Sequence, residues 1–206
     1  MKHKTSEYEW AGNKISPGHS YIDPVVLKLI NRLRPKKVLD LGCGNGVLTR
    51  SIANAGYDVV GVDPSSSGIA EAKANSPNIS FHVCGVYDDP SRFGLNGFDL
   101  VISEEVVEHL YFPDALLTFA RQVLTPNGRI IITTPYYGYL RNLALAVFNR
   151  WDHHLTPLWD HGHIKLFSYK SMVKLLERNS FELVEFHGAA NFRYFWRNMV
   201  VVAKPI

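Results

Sequence analysis

Cysteine is scarce in this sequence. Two residues among 206, Cys43 and Cys84, exclude a disulfide-stapled framework and suit a reducing compartment. Long apolar runs are missing as well. The wholly apolar stretch at 143–148 falls far short of the ~20 residues that cross a bilayer. The opening residues, Met1-Lys2-His3-Lys4-Thr5-Ser6-Glu7, carry no apolar segment of the kind a secretory signal needs. A soluble, cytoplasmic protein is therefore expected. Excess charge is lacking too: 22 Lys and Arg against 19 Asp and Glu leave a formal +3. Without clustered basic residues, nucleic acid is not expected as a partner. No repeat, low-complexity tract or linker breaks the chain, so a single domain over 1–206 is expected.

What the sequence does hold is ordered. Val38, Leu39 and Leu41 form an apolar strand core that runs into Gly42, Gly44 and Gly46. Glycine at alternate positions lets the backbone turn sharply and approach a ligand without a Cβ clash. A patterned helix follows, with Leu48, Ile52 and Ala55 on one face. The next strand, at 58–63, ends in Asp63, 17 residues beyond Gly46. That is the distance at which a βαβ nucleoside site places an acid for the ribose diol. A dinucleotide fingerprint would need glycine at 47, where Val47 stands. This spacing argues against a nicotinamide oxidoreductase.

Further strands are expected near 79–86, 98–103, 129–134, 181–186 and 199–203. Helices are expected from Asp23-Pro24 to Leu33, after Asp63-Pro64-Ser65, around Leu116 to Val123, and over 168–179. This alternation predicts an α/β fold with a doubly wound, mostly parallel sheet. The last two strands have no helix between them and should pair antiparallel.

Val38-Leu39-Asp40-Leu41-Gly42-Cys43-Gly44-Asn45-Gly46 resembles motif I of the class I S-adenosylmethionine-dependent methyltransferases of types 11 and 23. The resemblance covers nearly all of the chain from about residue 21. It implies a Rossmann-like seven-stranded sheet with its last strand reversed, and S-adenosylmethionine as cofactor. Asp40, Gly42, Cys43 and Gly44 would surround the methionine half of the donor. Asp63, followed by Pro64 and Ser65, would bind the ribose hydroxyls. The family's acid at the end of the third strand is absent here, which leaves the main chain at Val86, or Asp88, for the adenine. Ser103 and Glu104 would line the donor methionine, and Tyr21 would cover its carboxylate. The stretch after Thr134-Pro135 resembles an insert in ubiquinone-biosynthesis O-methyltransferases. It implies O-methylation of a small phenolic or lipid-like acceptor. The Asn/Asp-Pro-Pro-Tyr motif of nucleic-acid amino-methyltransferases is not at its expected place, where the chain reads Ser103-Glu104-Glu105-Val106.

Three features bear on the acceptor side. Glu105, Glu108 and His109 stand at i, i+3 and i+4, which would share one helical face. They read either as a metal or base set, or as a loop-fixing motif common to many methyltransferases, and the second reading is preferred. Residues 151–163 hold four of the nine histidines, but no cysteine joins them and His161-Gly162-His163 is too tightly spaced for standard ligation. No metal is assigned; His109, His161 and His163 are instead the candidate proton acceptors. The segment 136–167 is longer than a simple connection and reads as an acceptor insert. Its stripe Leu140, Leu143, Ala144, Val147 and Phe148 suits a lid helix, or a peripheral membrane contact through 139–151. Tyr136, Tyr137, Phe192, Tyr194 and Trp196 are candidate aromatic walls. A non-catalytic cofactor-binding partner remains the rival from outside enzymology.

Overall fold

The computed structural model describes residues 18–206 apart from 156 and 159–161. Its strands are β1 (Lys37–Leu41), β2 (Asp58–Asp63), β3 (Ser80–Val83), β4 (Phe98–Glu104), β5 (Leu124–Pro135), β6 (Phe181–Ala189) and β7 (Asn198–Pro205). They form one seven-stranded sheet in the order β3-β2-β1-β4-β5-β7-β6. β1 pairs in parallel with β2 and β4, as do β2 with β3 and β4 with β5. β7 runs antiparallel to both β5 and β6. The reversed last strand and the doubly wound sheet agree with the sequence-based expectation.

The helices are α1 (His19–Leu33), α2 (Val47–Asn54), α3 (Ser66–Asn75), α4 (Asp114–Val123), α5 (Tyr139–Val147), α6 (Trp151–Leu155) and α7 (Tyr169–Arg178). Alternation along the central strands sorts side chains onto two faces. Leu39, Val101, Ile130, Ile132, Met199 and Val201 join Leu116, Phe119, Met172 and Leu176 from α4 and α7. Val38, Leu100, Ile102, Ile131 and Val200 meet Ile22, Val26, Ile30, Leu48 and Ile52 from α1 and α2. Phe98 and Leu100 would share a face in a regular strand, yet they enter opposite cores. The register shift between them accounts for this. Phe119 is 2% exposed, and truncating a core phenylalanine costs about 3–5 kcal/mol. Phe119→Ala should therefore lower the melting temperature by roughly 10 °C in calorimetry. A shift under about 2 °C would show that this helix is not anchored as described.

Several boundaries differ from the sequence pattern. α1 starts at His19, so Pro24 lies inside the helix rather than at its first position. Tyr21 and Ile22 amides bond back to Gly18 O, and His19 pairs with Asp23 one turn on, which sustains the extra turn. β3 stops at Val83 because Gly85 N turns to the Asp88 carboxylate at 2.7 Å. β5 begins at Leu124, its pairing with β4 passing from Leu124 to Arg129 across the Asn127-Gly128 turn. No helix among the described residues is long and apolar enough to cross a membrane.

Candidate functional site

The chain winds outward from β1 through β2 to β3, then returns to β4 on the other side of β1. Connections leave the sheet toward opposite faces there, opening a crevice at the carboxyl ends of β1 and β4. The glycine loop lines this crevice. Gly42 has φ +89°, and a Cβ on it would stand 2.3 Å from Val106 Cγ2. Gly46 has φ +79°, and its Cβ would stand 2.9 Å from the Ala72 Cβ. Both glycines are thus required by left-handed backbone and by contacts inside the protein, which the sequence pattern does not distinguish from ligand approach. Gly42 and Cys43 amides donate to Val62 O at 2.8 and 3.0 Å. Asp40 is buried and accepts from Thr49 Oγ1 at 2.6 Å. Burial raises its pKa to about 7. The Cys43 thiol is likewise buried, and burial pushes its pKa up.

Asp63 closes the loop from the neighbouring strand. Its Oδ2 accepts Gly44 N at 2.9 Å and its Oδ1 accepts Ser65 N at 2.8 Å. Burial raises its pKa, against those two hydrogen bonds. Ser65 caps α3 by accepting Gly68 N. Pro64 is exposed and stands against Gly85, and Val86 is buried just beyond. Asp88 already holds Gly85 N, so its carboxylate shapes this loop.

The end of β4 brings up the opposite wall. Register pairs Asp40 with Ile102, so Ser103 and Glu104 sit at the mouth beside Gly42. Ser103 Oγ and Glu104 Oε2 are buried without a hydrogen-bond partner among the described residues. Glu104 Oε1 lies 3.0 Å from His19 Nδ1, which also contacts Asp23 Oδ1 at 2.9 Å. His19 carried no sequence signal of function. Tyr21 is half-buried, with the Arg197 guanidinium over its ring at 5.4 Å.

The Glu105, Glu108 and His109 set does not share a helical face. Glu105 has φ +54° and precedes a short 3-10 turn, Val107–His109. Its carboxylate accepts Thr133 Oγ1 at 2.7 Å and Asn198 Nδ2 at 2.6 Å, tying the loop to β5 and β7. Burial raises its pKa to about 8. His163 takes its place in the cluster. Ile164 N and Lys165 N both donate to Glu108 O at 2.9 Å, which holds His163 over the turn. Its ring meets His109 edge-on at 5.0 Å, and its Nε2 is 4.0 Å from Glu108 Oε1. Both Glu108 carboxylate oxygens are buried without a hydrogen-bond partner among the described residues. Burial drives the Glu108 pKa well up and that of His163 down to about 4. One ligand atom from each of Glu108, His109 and His163 lies within 4.8 Å of the others. His161 lies outside the described residues.

The α5 stripe faces outward. Leu143, Val147 and Phe148 are exposed, whereas Arg141 is buried. Arg141 Nη1 donates to Trp196 O at 2.8 Å and Arg197 O at 2.5 Å, anchoring the helix to the loop before β7. Tyr136, Phe186 and Trp196 form a cluster of edge-on rings. Phe192 and Tyr194 are exposed.

A cationic sulfonium donor with a zwitterionic tail suits this crevice. Asp40, Asp63 and Glu104 surround the loop, and two buried polar atoms at its mouth have no partner among the described residues. Comparisons with known proteins agree. A family model described as "Methyltransferase domain" matches residues 18–186. The human mitochondrial ubiquinone biosynthesis O-methyltransferase is 31% identical over 150 residues, 69% of this chain and 40% of that protein. Its counterpart from Rhizobium etli is 31% identical over 173 residues, 81% of this chain and 66% of that protein. The chain therefore spans less than two thirds of either relative. The structure of an S-adenosylmethionine-dependent methyltransferase from Clostridium acetobutylicum superposes with a TM-score of 0.67 at 11% identity, covering 89% of this chain and 90% of that one.

Proposed function

The chain belongs to the class I S-adenosylmethionine-dependent methyltransferase family, and we propose that it methylates the oxygen of a small phenolic or lipid-like acceptor. The observation that carries this reading is the imidazole pair His109 and His163, 5.0 Å apart over the buried Glu108. When bound, the donor supplies a methyl group made electrophilic by the sulfonium. Asp40, Gly42, Cys43 and Gly44 would hold its methionine half, Asp63 and Pro64 its ribose, and main chain at Val86 its adenine. Ser103, Glu104 and Tyr21 would close over the amino-acid end. Water exclusion and alignment supply most of the rate in such an in-line displacement.

His163 is the catalytic base of this reading, with His109 beside it. An imidazole nitrogen of His163 takes the acceptor's hydroxyl proton. Deprotonation in place would ready the acceptor oxygen for the methyl group that the bound donor would supply. The outward apolar stripe of α5 supports a peripheral contact with membrane, or with an acceptor's apolar tail, through 139–151. The chain's similarity to ubiquinone biosynthesis O-methyltransferases supports oxygen as the acceptor atom.

A second reading of the same cluster is favoured by the two unpartnered Glu108 oxygens. A divalent cation held by Glu108, His109 and His163 would compensate that buried carboxylate and acidify an acceptor hydroxyl. Radiolabelled donor, offered with phenols, catechols and polyprenyl phenols, tests both readings. Label is expected in an O-methyl product. Loss of transfer on chelation, restored by added cation, selects the second reading, and transfer indifferent to chelation selects the first. Tight donor binding without label in any acceptor would instead mark a non-catalytic partner protein.

A further inference from the structure

We propose that a cavity at the amino end of the sheet binds the phosphate group of a small soluble molecule, held chiefly by the Arg129 guanidinium. The cavity measures about 300 Å³, and its lining includes Arg34, Lys36, Asp99, Leu100, Asn127 and Arg129. The backbone brings these together from three segments. α1 ends at Leu33, and Arg34 follows with a left-handed φ of +50°, its amide returning to Ile30 O at 2.8 Å. The chain turns there and enters β1 at Lys37. Leu100 of β4 pairs with Val38 of β1 on one side and Arg129 of β5 on the other. Arg129 therefore stands level with the start of β1, and Asn127, from the turn inside β5, completes the lining.

The walls carry three cations, Arg34, Lys36 and Arg129, against one carboxylate, Asp99. That carboxylate is already committed, its Oδ2 accepting Lys36 N at 2.9 Å and Lys37 N at 3.2 Å. Lys37 is engaged elsewhere, with its Nζ donating to Asn96 O at 3.1 Å. The side chains of Arg34, Lys36 and Arg129 make no ion pair or hydrogen bond among the described residues. Arg129 Nε is buried in that state. A guanidinium does not shed its proton, so burial without an acceptor is costly. An oxyanion with two oxygens offers the bidentate partner that this fork lacks. Arg34 and Lys36 are exposed and would add charge from the rim, which favours a doubly charged phosphate over a single carboxylate. Glu104, at the donor crevice, stands about 13 Å farther along β4, so both sites can be filled together. The outward stripe of α5 also follows the carboxyl end of β5. A free anion therefore suits this cavity better than a lipid surface.

An ordinary basic surface makes a different forecast. It would attract any anion weakly, lose it to salt, and depend on no single residue. Calorimetric titration of the full chain with inorganic pyrophosphate, in about 150 mM sodium chloride, separates the two. Arg129→Gln is expected to weaken pyrophosphate about tenfold to thirtyfold, the scale of one charge-assisted hydrogen bond. Arg34→Ala, on the exposed rim, should weaken it about threefold. Arg129→Lys keeps the charge but not the fork, and should show most of the same loss should the glutamine variant not fold. Saturating S-adenosylmethionine is expected to leave pyrophosphate affinity within about twofold. No binding by the unaltered protein at about 5 mM pyrophosphate would overturn the assignment, as would an affinity that the Arg129 variants leave within about twofold. Displacement of pyrophosphate by S-adenosylmethionine would overturn it too, placing the anion in the crevice instead.

Discussion

Asp63→Ala is expected to weaken donor affinity by at least about a hundredfold, measured by calorimetry at neutral pH. The carboxylate has two duties at once. Toward the protein, Oδ2 takes Gly44 N at 2.9 Å and Oδ1 takes Ser65 N at 2.8 Å. These bonds fix the glycine loop against the end of β2 and set the start of α3. Toward the donor, each oxygen keeps a further lone pair for a ribose hydroxyl. Hydrogen bonds to charged groups contribute about 1.5–3 kcal/mol each. Losing the sugar contacts and loosening the loop together exceed the ~2.8 kcal/mol that a hundredfold change represents. Asp63→Asn retains one acceptor oxygen and should fall between the two. The alanine variant also leaves the Gly44 and Ser65 amides without their acceptor, so it should melt a few degrees below the unaltered protein. An affinity within about threefold of normal would refute the ribose role.

The parts of this site that could be read from sequence share one property: they are encoded locally. Val38 to Gly46 is a strand, a turn and a helix start in consecutive residues, and Asp63 ends the next apolar run. The apolar runs of β1, β5 and β7, buried almost continuously because both faces of the sheet are covered, follow from the same logic. What escaped the sequence reading depends on contacts between distant segments. His19 was hidden because Asp23-Pro24 looks like a helix start, whereas the His19–Asp23 pair extends α1 by a turn. Glu105 stands at helical spacing from Glu108, but its own left-handed backbone at φ +54° breaks the helical periodicity. His163 reaches the cluster through two backbone bonds to Glu108 O across more than fifty residues of chain, and no local pattern encodes them. The α5 stripe was legible as a stripe, but a period says which residues share a face and not which way the face points. Arg141, caught by two carbonyls, turns that stripe outward.

His163→Ala is expected to lower kcat by between about a hundredfold and ten-thousandfold, the usual contribution of a positioned base, with KM changed by no more than about threefold. The ring is placed by main-chain bonds from its neighbours Ile164 and Lys165, so removing it should leave the turn intact. Donor affinity is also expected to be unchanged, which separates this variant from Asp63→Ala. Burial, helped by the nearby His109, lowers the His163 pKa to about 4. The imidazole is therefore neutral and able to accept a proton, or to ligate a cation, down to unusually acid pH. Activity limited by this group should fall as pH drops toward about 4, not through the ordinary histidine range. The His163 contribution to stability follows the same sign. Between pH 6.5 and about 4 the unfolded chain binds a proton at this residue that the folded one refuses, so acidification costs stability through His163. The raised carboxyls of Asp40, Glu105 and Glu108 act the other way. His163→Ala should remove that cost, leaving the variant less destabilised by acid than the unaltered protein over this range. Partial rescue of the alanine variant by added imidazole, in the presence of chelator, would identify proton acceptance as the lost function. A variant with kcat within about fivefold of normal would mean that the proton leaves by another route.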